Sequence, residues 1–193
     1  LVTDTIFFNR KIQQAFYNSN GTITNKDNIL KSKSGRYYLN EKKYSFKTAV
    51  TVTNPRSTIK TNHLDYYDNS GHAYVFGPST ITSKNDYIYT ENGFYDTTND
   101  IGKLKKNSYI VYNSRKIEGD DIYYDRKKNF SRAENNVKIT DTINDLIATG
   151  HYAEVYRNTL TKNDSMFITK KALVVTLVEK DSMYMHGKKI MVT

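Results

Sequence analysis

Asp121-Ile122-Tyr123-Tyr124-Asp125, then Asn135-Asn136-Val137-Lys138-Ile139-Thr140, then Gly150-His151-Tyr152, is the stretch that decides the fold. Within it, Val137 and Ile139 alternate with Asn136, Lys138 and Thr140. That period of two puts one set of side chains inward and the other into water, as in a half-buried strand. Related blocks stand upstream. His63-Leu64-Asp65-Tyr66-Tyr67-Asp68 precedes Gly77-Pro78-Ser79-Thr80-Ile81 and Gly93-Phe94-Tyr95. Asp4-Thr5-Ile6-Phe7-Phe8-Asn9 precedes Asn20-Gly21-Thr22-Ile23 and Gly35-Arg36-Tyr37. The glycines of the Gly-x-Tyr triplets lie 93 − 35 = 58 and 150 − 93 = 57 residues apart. A unit this long holds several short strands and buries its apolar face against its neighbours.

Working outward, strand patterns recur at Ala49-Val50-Thr51-Val52-Thr53, Tyr87-Ile88-Tyr89-Thr90 and Met183-Tyr184-Met185. Turn signals such as Asn20-Gly21, Asn54-Pro55, Ser70-Gly71 and Asn92-Gly93 punctuate them. Two stretches are ambiguous. Residues 10–17 carry no clear period. Residues 141–150 would suit a short helix, with Asp141 as N-cap and Gly150 beyond its end. Aligning 141–150 with 85–93 in the repeat assigns it to strand instead. The expected fold class is all-β: an elongated, twisted β-jellyroll, or β-taco, of about three repeats of roughly 58 residues. The chain is read as a single domain, 1–193, excised from a longer protein. It opens on Leu1-Val2-Thr3-Asp4 and stops inside an alternating segment, Ile190-Met191-Val192.

The composition is lean in apolar residues, 37%, yet holds 17 Tyr and 8 Phe among 193 residues. That suits a thin fold with much surface per residue, and it argues against disorder. There is no Cys, so disulfides and thiolate chemistry are excluded. The formal net charge of +9 favours anionic partners. Much of the positive charge sits in pairs: Lys42-Lys43, Lys105-Lys106, Lys127-Lys128, Lys170-Lys171 and Lys188-Lys189. Each pair also suits a solvated turn or a protected strand edge.

Few catalytic patterns are present. His63, His72, His151 and His186 have no spacing that would set two imidazoles on one metal. Asp120 and Asp121 are adjacent, so in a strand they point to opposite faces and cannot share a proton. Turn chemistry at the start of a strand is the plainer role for them. No phosphate-cradling loop or nucleophile motif occurs. Aromatic residues interleaved with Lys and Arg, as at Arg36-Tyr37-Tyr38, would suit base stacking. They suit strand formation equally, and no nucleic-acid motif accompanies them. No enzyme activity, metal, cofactor or nucleic-acid partner is expected.

The blocks Asp121–Asp125, Ala133–Asp141 and Gly150–Tyr156, with Asp181-Ser182-Met183-Tyr184-Met185-His186-Gly187, resemble the OstA-like domain of lipopolysaccharide-transport proteins of the LptA type. The resemblance spans most of the chain and is most complete from about residue 108 onward. It departs at Asn135-Asn136, at Gly77-Pro78-Ser79 and over 10–19. It implies a periplasmic β-jellyroll, either free or associated with the outer membrane as part of a longer chain. Its apolar groove would shelter the acyl chains of lipopolysaccharide or another anionic glycolipid. Its partners would be other OstA-like domains, joined end to end, and outer-membrane assembly components. Groove-lining positions, read from the alternation, would be Val50, Val52, Leu64, Tyr66, Ile81, Ile88, Ile122, Tyr124, Val137, Ile139, Val155, Ile168, Val174 and Met185. The competing reading is a structural β-repeat scaffold that binds protein or anionic polysaccharide and uses the same residues as plain core.

Overall fold

The computed structural model describes residues 1–161, 164–179 and 181–193. It is built from strands and turns. The first six strands are short: β1 (Val2–Thr3), β2 (Phe7–Asn9), β3 (Gln14–Tyr17), β4 (Gly21–Asn25), β5 (Asn28–Ser32) and β6 (Ser34–Tyr38). The later ones are about twice as long: β7 (Lys43–Thr53), β8 (Ser57–Tyr67), β9 (His72–Ser83), β10 (Asp86–Asp96), β11 (Ile101–Tyr112), β12 (Arg115–Asp125), β13 (Phe130–Asp141), β14 (Leu146–Tyr156), β15 (Ser165–Val178) and β16 (Asp181–Val192). The all-β expectation holds. Residues 10–13 and 142–145 form turns, and the segments after them enter β3 and β14. Asp141 does act as a cap, but of a hairpin turn: its Oδ1 accepts from the backbone N–H of Ile143 and Asn144.

The chain divides into two compact units, Leu1–Asn99 and Asp100–Thr193. From β6 onward, strands adjacent in sequence within each unit pair antiparallel as hairpins, as do β2–β3 and β4–β5, whereas β1–β4, β3–β6 and β5–β7 pair antiparallel out of sequence order. Every long strand is interrupted near its middle by a register shift, as between Lys47 and Val50 in β7 or Glu134 and Val137 in β13. There the backbone turns a corner. Paired left-handed residues mark it at Thr48-Ala49, Lys106-Asn107, Asn135-Asn136 and Lys170-Lys171, and Gly77 marks it in β9. Such bulges bend the strand and increase its twist. Each long strand thus contributes one half to each of two layers. In the first unit the early strands are cut at this crease outright. β1, β4 and β5 join one layer, and β2, β3 and β6 join the other.

Corners remove backbone groups from the ladder, and buried hydroxyls satisfy them. Ser32 Oγ donates to the carbonyl of Ser34, Thr61 Oγ1 to that of His63, Ser79 Oγ to that of Gly77 and Thr90 Oγ1 to that of Asn92. The Thr61 and Ser79 hydroxyls also lie 2.7 Å apart, so one of them shares its proton between its carbonyl and the other hydroxyl. Leaving such groups unpaired inside would cost about 1–3 kcal/mol each.

The structural period is half the sequence period. β7, β9, β11 and β13 begin at 43, 72, 101 and 130, each 29 residues after the last. The corner residues 48, 77, 106 and 135 keep the same step. The left-handed turn residues Gln13, Lys42, Gly71, Asp100 and Asn129 keep it too. A repeat of 58 is therefore two structural repeats. One sequence alignment shifts as a result. β10 has 11 residues from Asp86 and β14 has 11 from Leu146, an offset of 60. Gly93 is thus matched by Ala153, not by Gly150. The turn at 142–145, two residues longer than that at 84–85, causes the slip.

Candidate functional site

The inward faces of the two layers form cross-strand rungs. In the first unit, Ile23, Leu30, Val52, Ile59, Ile81 and Ile88 stand opposite one another in succession across β4, β5, β7, β8, β9 and β10. On the facing layer, Tyr37, Tyr44, Tyr66 and Ala73 form one rung, and Phe46, Leu64 and Val75 the next. Phe46, Val50, Leu64 and Val75 make the buried core, and Ile23, Leu30, Tyr44, Val52, Ile59 and Ala73 pack on it half-buried. Tyr37 and Tyr44 stack with centroids 4.3 Å apart. Buried Tyr17 sits between Gly21 and Gly35, where any side chain would meet its ring, and its hydroxyl bonds Ser32 at 2.7 Å.

Unit 2 repeats the pattern with tighter burial. Ile110, Ile117, Ile139, Ala148, Val174 and Met185 form one rung. Leu104, Ile122, Ala133, Ala153, Ile168 and Ile190 form the facing one. Ile139, Ala148, Ala153, Ile168 and Val174 are fully buried. Complete burial of each larger side chain is worth about 1.5–3 kcal/mol.

The fourteen residues read from alternation therefore fall onto a few shared rungs. Val50, Leu64, Ile88, Ile122, Tyr124, Val137, Ile139, Val155, Ile168 and Val174 are buried; Val52, Tyr66 and Ile81 are half-buried. Met185 lies on β16, along which every residue is exposed or half-buried, and is itself 38% exposed.

One cluster was not visible in the sequence. The outer ends of the two layers of unit 2 are joined across the interior. Arg115, at the start of β12, contacts Asp141 at the end of β13 through Nε at 2.8 Å. Its Nη1 reaches Asp164, just before β15, at 2.5 Å. Asp141 and Asp164 side chains are 2% and 6% exposed. Beside them the Arg157 guanidinium lies 3.6 Å from the centroid of the Tyr112 ring. Arg115, Asp141 and Tyr112 belong to one layer; Arg157 and Asp164 flank the other.

The electrostatics follow from this burial. Desolvation opposes ionisation of Asp141, but hydrogen bonds from Asn144, Arg115 and Ser114 outweigh it and hold its pKa at about 2, against an ordinary 3.8. Burial, and then the Asp164 charge, push the Tyr112 hydroxyl up to about 12. Asp141 thus stabilises the fold above its ordinary pKa, and the contribution is lost as pH falls through the folded value. Acid titration is expected to remove roughly 2–3 kcal/mol from unit 2 between about pH 4 and 2. Asp141→Asn should abolish that part of the acid dependence in urea unfolding followed against pH.

The lysine pairs also find their place. Lys105-Lys106, Lys170-Lys171 and Lys188-Lys189 lie at the crease, on the outside. Lys171, Lys188 and His186 border a shallow cleft there with Thr149 and Leu173. Asp120 and Asp121 are at the crease of β12, not at a strand entrance. Asp120 accepts from Asn136 at 2.8 Å, and Asp121 lies 3.5 Å from Lys105. His63 bonds Asp65 and Ser45 on its own layer.

No curated protein matches the chain. Among solved structures it is similar to the crystal structure of LptH, the LptA homologous periplasmic component of the conserved lipopolysaccharide transport device from Pseudomonas aeruginosa. That likeness has a TM-score of 0.48 and 15% identity, and it covers 65% of this chain and 85% of that one. The matching family model aligns at the start of the chain, whereas the motif resemblance was most complete from about residue 108. Residues 1–62 match the OstA-like protein family, the one that the repeat blocks resemble.

Proposed function

We propose that the chain is a periplasmic carrier of lipopolysaccharide or a similar anionic glycolipid, and that it holds acyl chains between its two layers. The observation that carries this reading is the interior of unit 1. Its rung of Ile23, Leu30, Val52, Ile59 and Ile81 stays half-buried opposite Tyr37, Tyr44 and Tyr66. An apolar surface left half-wet inside a fold gains by covering itself, at about 0.8 kcal/mol per buried CH₂. The hairpin ends of the same unit carry exposed Lys26, Arg56 and Lys84 on one layer and Arg10, Lys11 and Lys42 on the other. Cations there suit headgroup phosphates. The family match over 1–62 supports the same reading.

Bridging to other copies is part of the proposal. Exposed Phe7 and Phe8 on β2, and Tyr184 and Met191 on β16, lie on outer strands of their units, where an added strand would cover them. A packed scaffold is the second reading, and the closed interior of unit 2 favours it there.

Photo-crosslinkers at Val52 or Ile81 are expected to capture lipopolysaccharide, and one at outward Lys60 is not. Capture from Lys60 alone would sink the carrier reading.

A further inference from the structure

The two units share one repeat yet differ at the mouth of the interior. With the 58-residue offset, Arg115 and Asp141 stand where unit 1 has Ser57 and Ser83, and Tyr112 where it has Asn54. In unit 1 these positions are turn residues. Asn54 Oδ1 accepts from the backbone of Arg56 and Ser57, and Ser83 Oγ donates to the carbonyl of Asp86. In unit 2 they become the near side of a clasp. Arg115 bridges Asp141 on its own layer to Asp164 on the other, and Arg157 crosses back over Tyr112. The rungs behind follow suit. Val52, Ile59 and Ile81 are half-buried, while their counterparts Ile110, Ile117 and Ile139 are 3%, 1% and 0% exposed.

Stability alone does not account for such a cluster. A buried ion pair is often no better than an apolar group of the same volume, because desolvating the charges offsets their attraction. What sets a charged cluster apart from an apolar one is that water can compete for its groups, so that it has a solvated alternative to the paired state. At the rim of an apolar interior, the second state is an open mouth.

We infer that Asp141–Arg115–Asp164, with Arg157 on Tyr112, is a gate on the interior of unit 2, which admits an acyl chain only when the Arg115–Asp164 link is broken. Unit 1, with serines at these places, is ungated. The inference deepens the carrier reading and rests on it for the identity of the ligand, but the gating itself is measurable without lipid.

The chain has no cysteine, so introduced thiols are unique. A cysteine in place of Ile139 reports access by its rate of labelling with N-ethylmaleimide. Asp164→Asn reduces the cross-layer ion pair to at most a hydrogen bond to a neutral acceptor, while leaving Arg115 paired to Asp141. It is expected to raise that rate by more than about tenfold. A second background carries Ser114→Cys and Asn158→Cys, joined by a short bismaleimide before Ile139→Cys is exposed to label in the same Asp164→Asn chain. To keep the third thiol free, the more exposed rim thiols are bridged first by a stoichiometric pulse of reagent, and the label at 139 is then read by mass spectrometry. Protection should return. Because a bridge also disfavours unfolding, the urea dependence of the rate separates the two routes: labelling through an open mouth is flat at low urea, and labelling through unfolding rises with it. An unchanged rate in Asp164→Asn, or a fast rate that the bridge leaves untouched, overturns the gate.

A photo-crosslinker at Ile139 supplies the ligand arm. Lipopolysaccharide captured at Val52 in every variant, but at Ile139 only in Asp164→Asn, is the expected pattern. Capture at Ile139 in the bridged chain refutes the gate and leaves the carrier standing. Capture at neither site, with thiol labelling still gated, refutes the carrier and leaves the gate.

Discussion

Arg115→Ala is expected to destabilise unit 2 by about 3–5 kcal/mol. The guanidinium bonds two carboxylates whose side chains are 2% and 6% exposed. Removing it leaves both negative charges out of water, near each other, with Arg157 engaged on Tyr112. Little of that penalty is the net worth of the pair; most is the cost of stranding its partners. Adding Asp141→Asn and Asp164→Asn to Arg115→Ala should therefore recover much of the loss. Urea unfolding of the single and triple variants checks this. A single variant within about 0.5 kcal/mol of the parent would mean that the carboxylates are solvated in the folded protein.

The second large effect is expected at Gly102. It pairs with Tyr124 across β11 and β12, and the Tyr124 ring lies over it, so a Cβ at 102 would overlap ring atoms. Tyr124 is itself buried, 8% exposed, so its ring has little open space to swing into. Gly102→Ala should force the ring off its site at about 2–3 kcal/mol. Gly77→Ala is the useful contrast: nothing lies closer than 4.0 Å to its Cβ position, so its cost is that of a φ of +78° alone. Thermal unfolding should rank Gly102→Ala well below Gly77→Ala.

The sequence was legible where side chains alternate. Val137-Lys138-Ile139 and Ala49–Thr53 have one placement in a half-buried sheet, and from such segments came the all-β class and most inward residues. Thirteen of the fourteen are buried or half-buried; Met185 stands opposite Val174 on the inward rung but is 38% exposed on the outer strand β16. The 29-residue step was hidden because corners are defined by backbone angle, not residue type. Thr48-Ala49, Gly77, Lys106-Asn107 and Asn135-Asn136 share left-handed backbone, and no one residue type is common to all of them. A fainter signal existed in the buried hydroxyls: Ser32, Thr61 and Thr90 are 29 apart, as are Ser79 and Ser108. The clasp was illegible for another reason. Arg115 and Asp164 are 49 residues apart, and nothing local distinguishes them from other charged residues in turns. Only the folding of one layer over the other brings them together.

The claim that matters most is that lipid lies between the layers, and a photo-crosslinking scan across β7, β8 and β9 of unit 1 tests it most directly. Probes at Val52, Ile59 and Ile81 share one inward rung, and probes at Lys60 and Thr82 face out. The account predicts lipopolysaccharide adducts from the first three and none from the other two, so that capture alternates with the strand period. Adducts of equal yield from both faces, or from the outward positions alone, would contradict it.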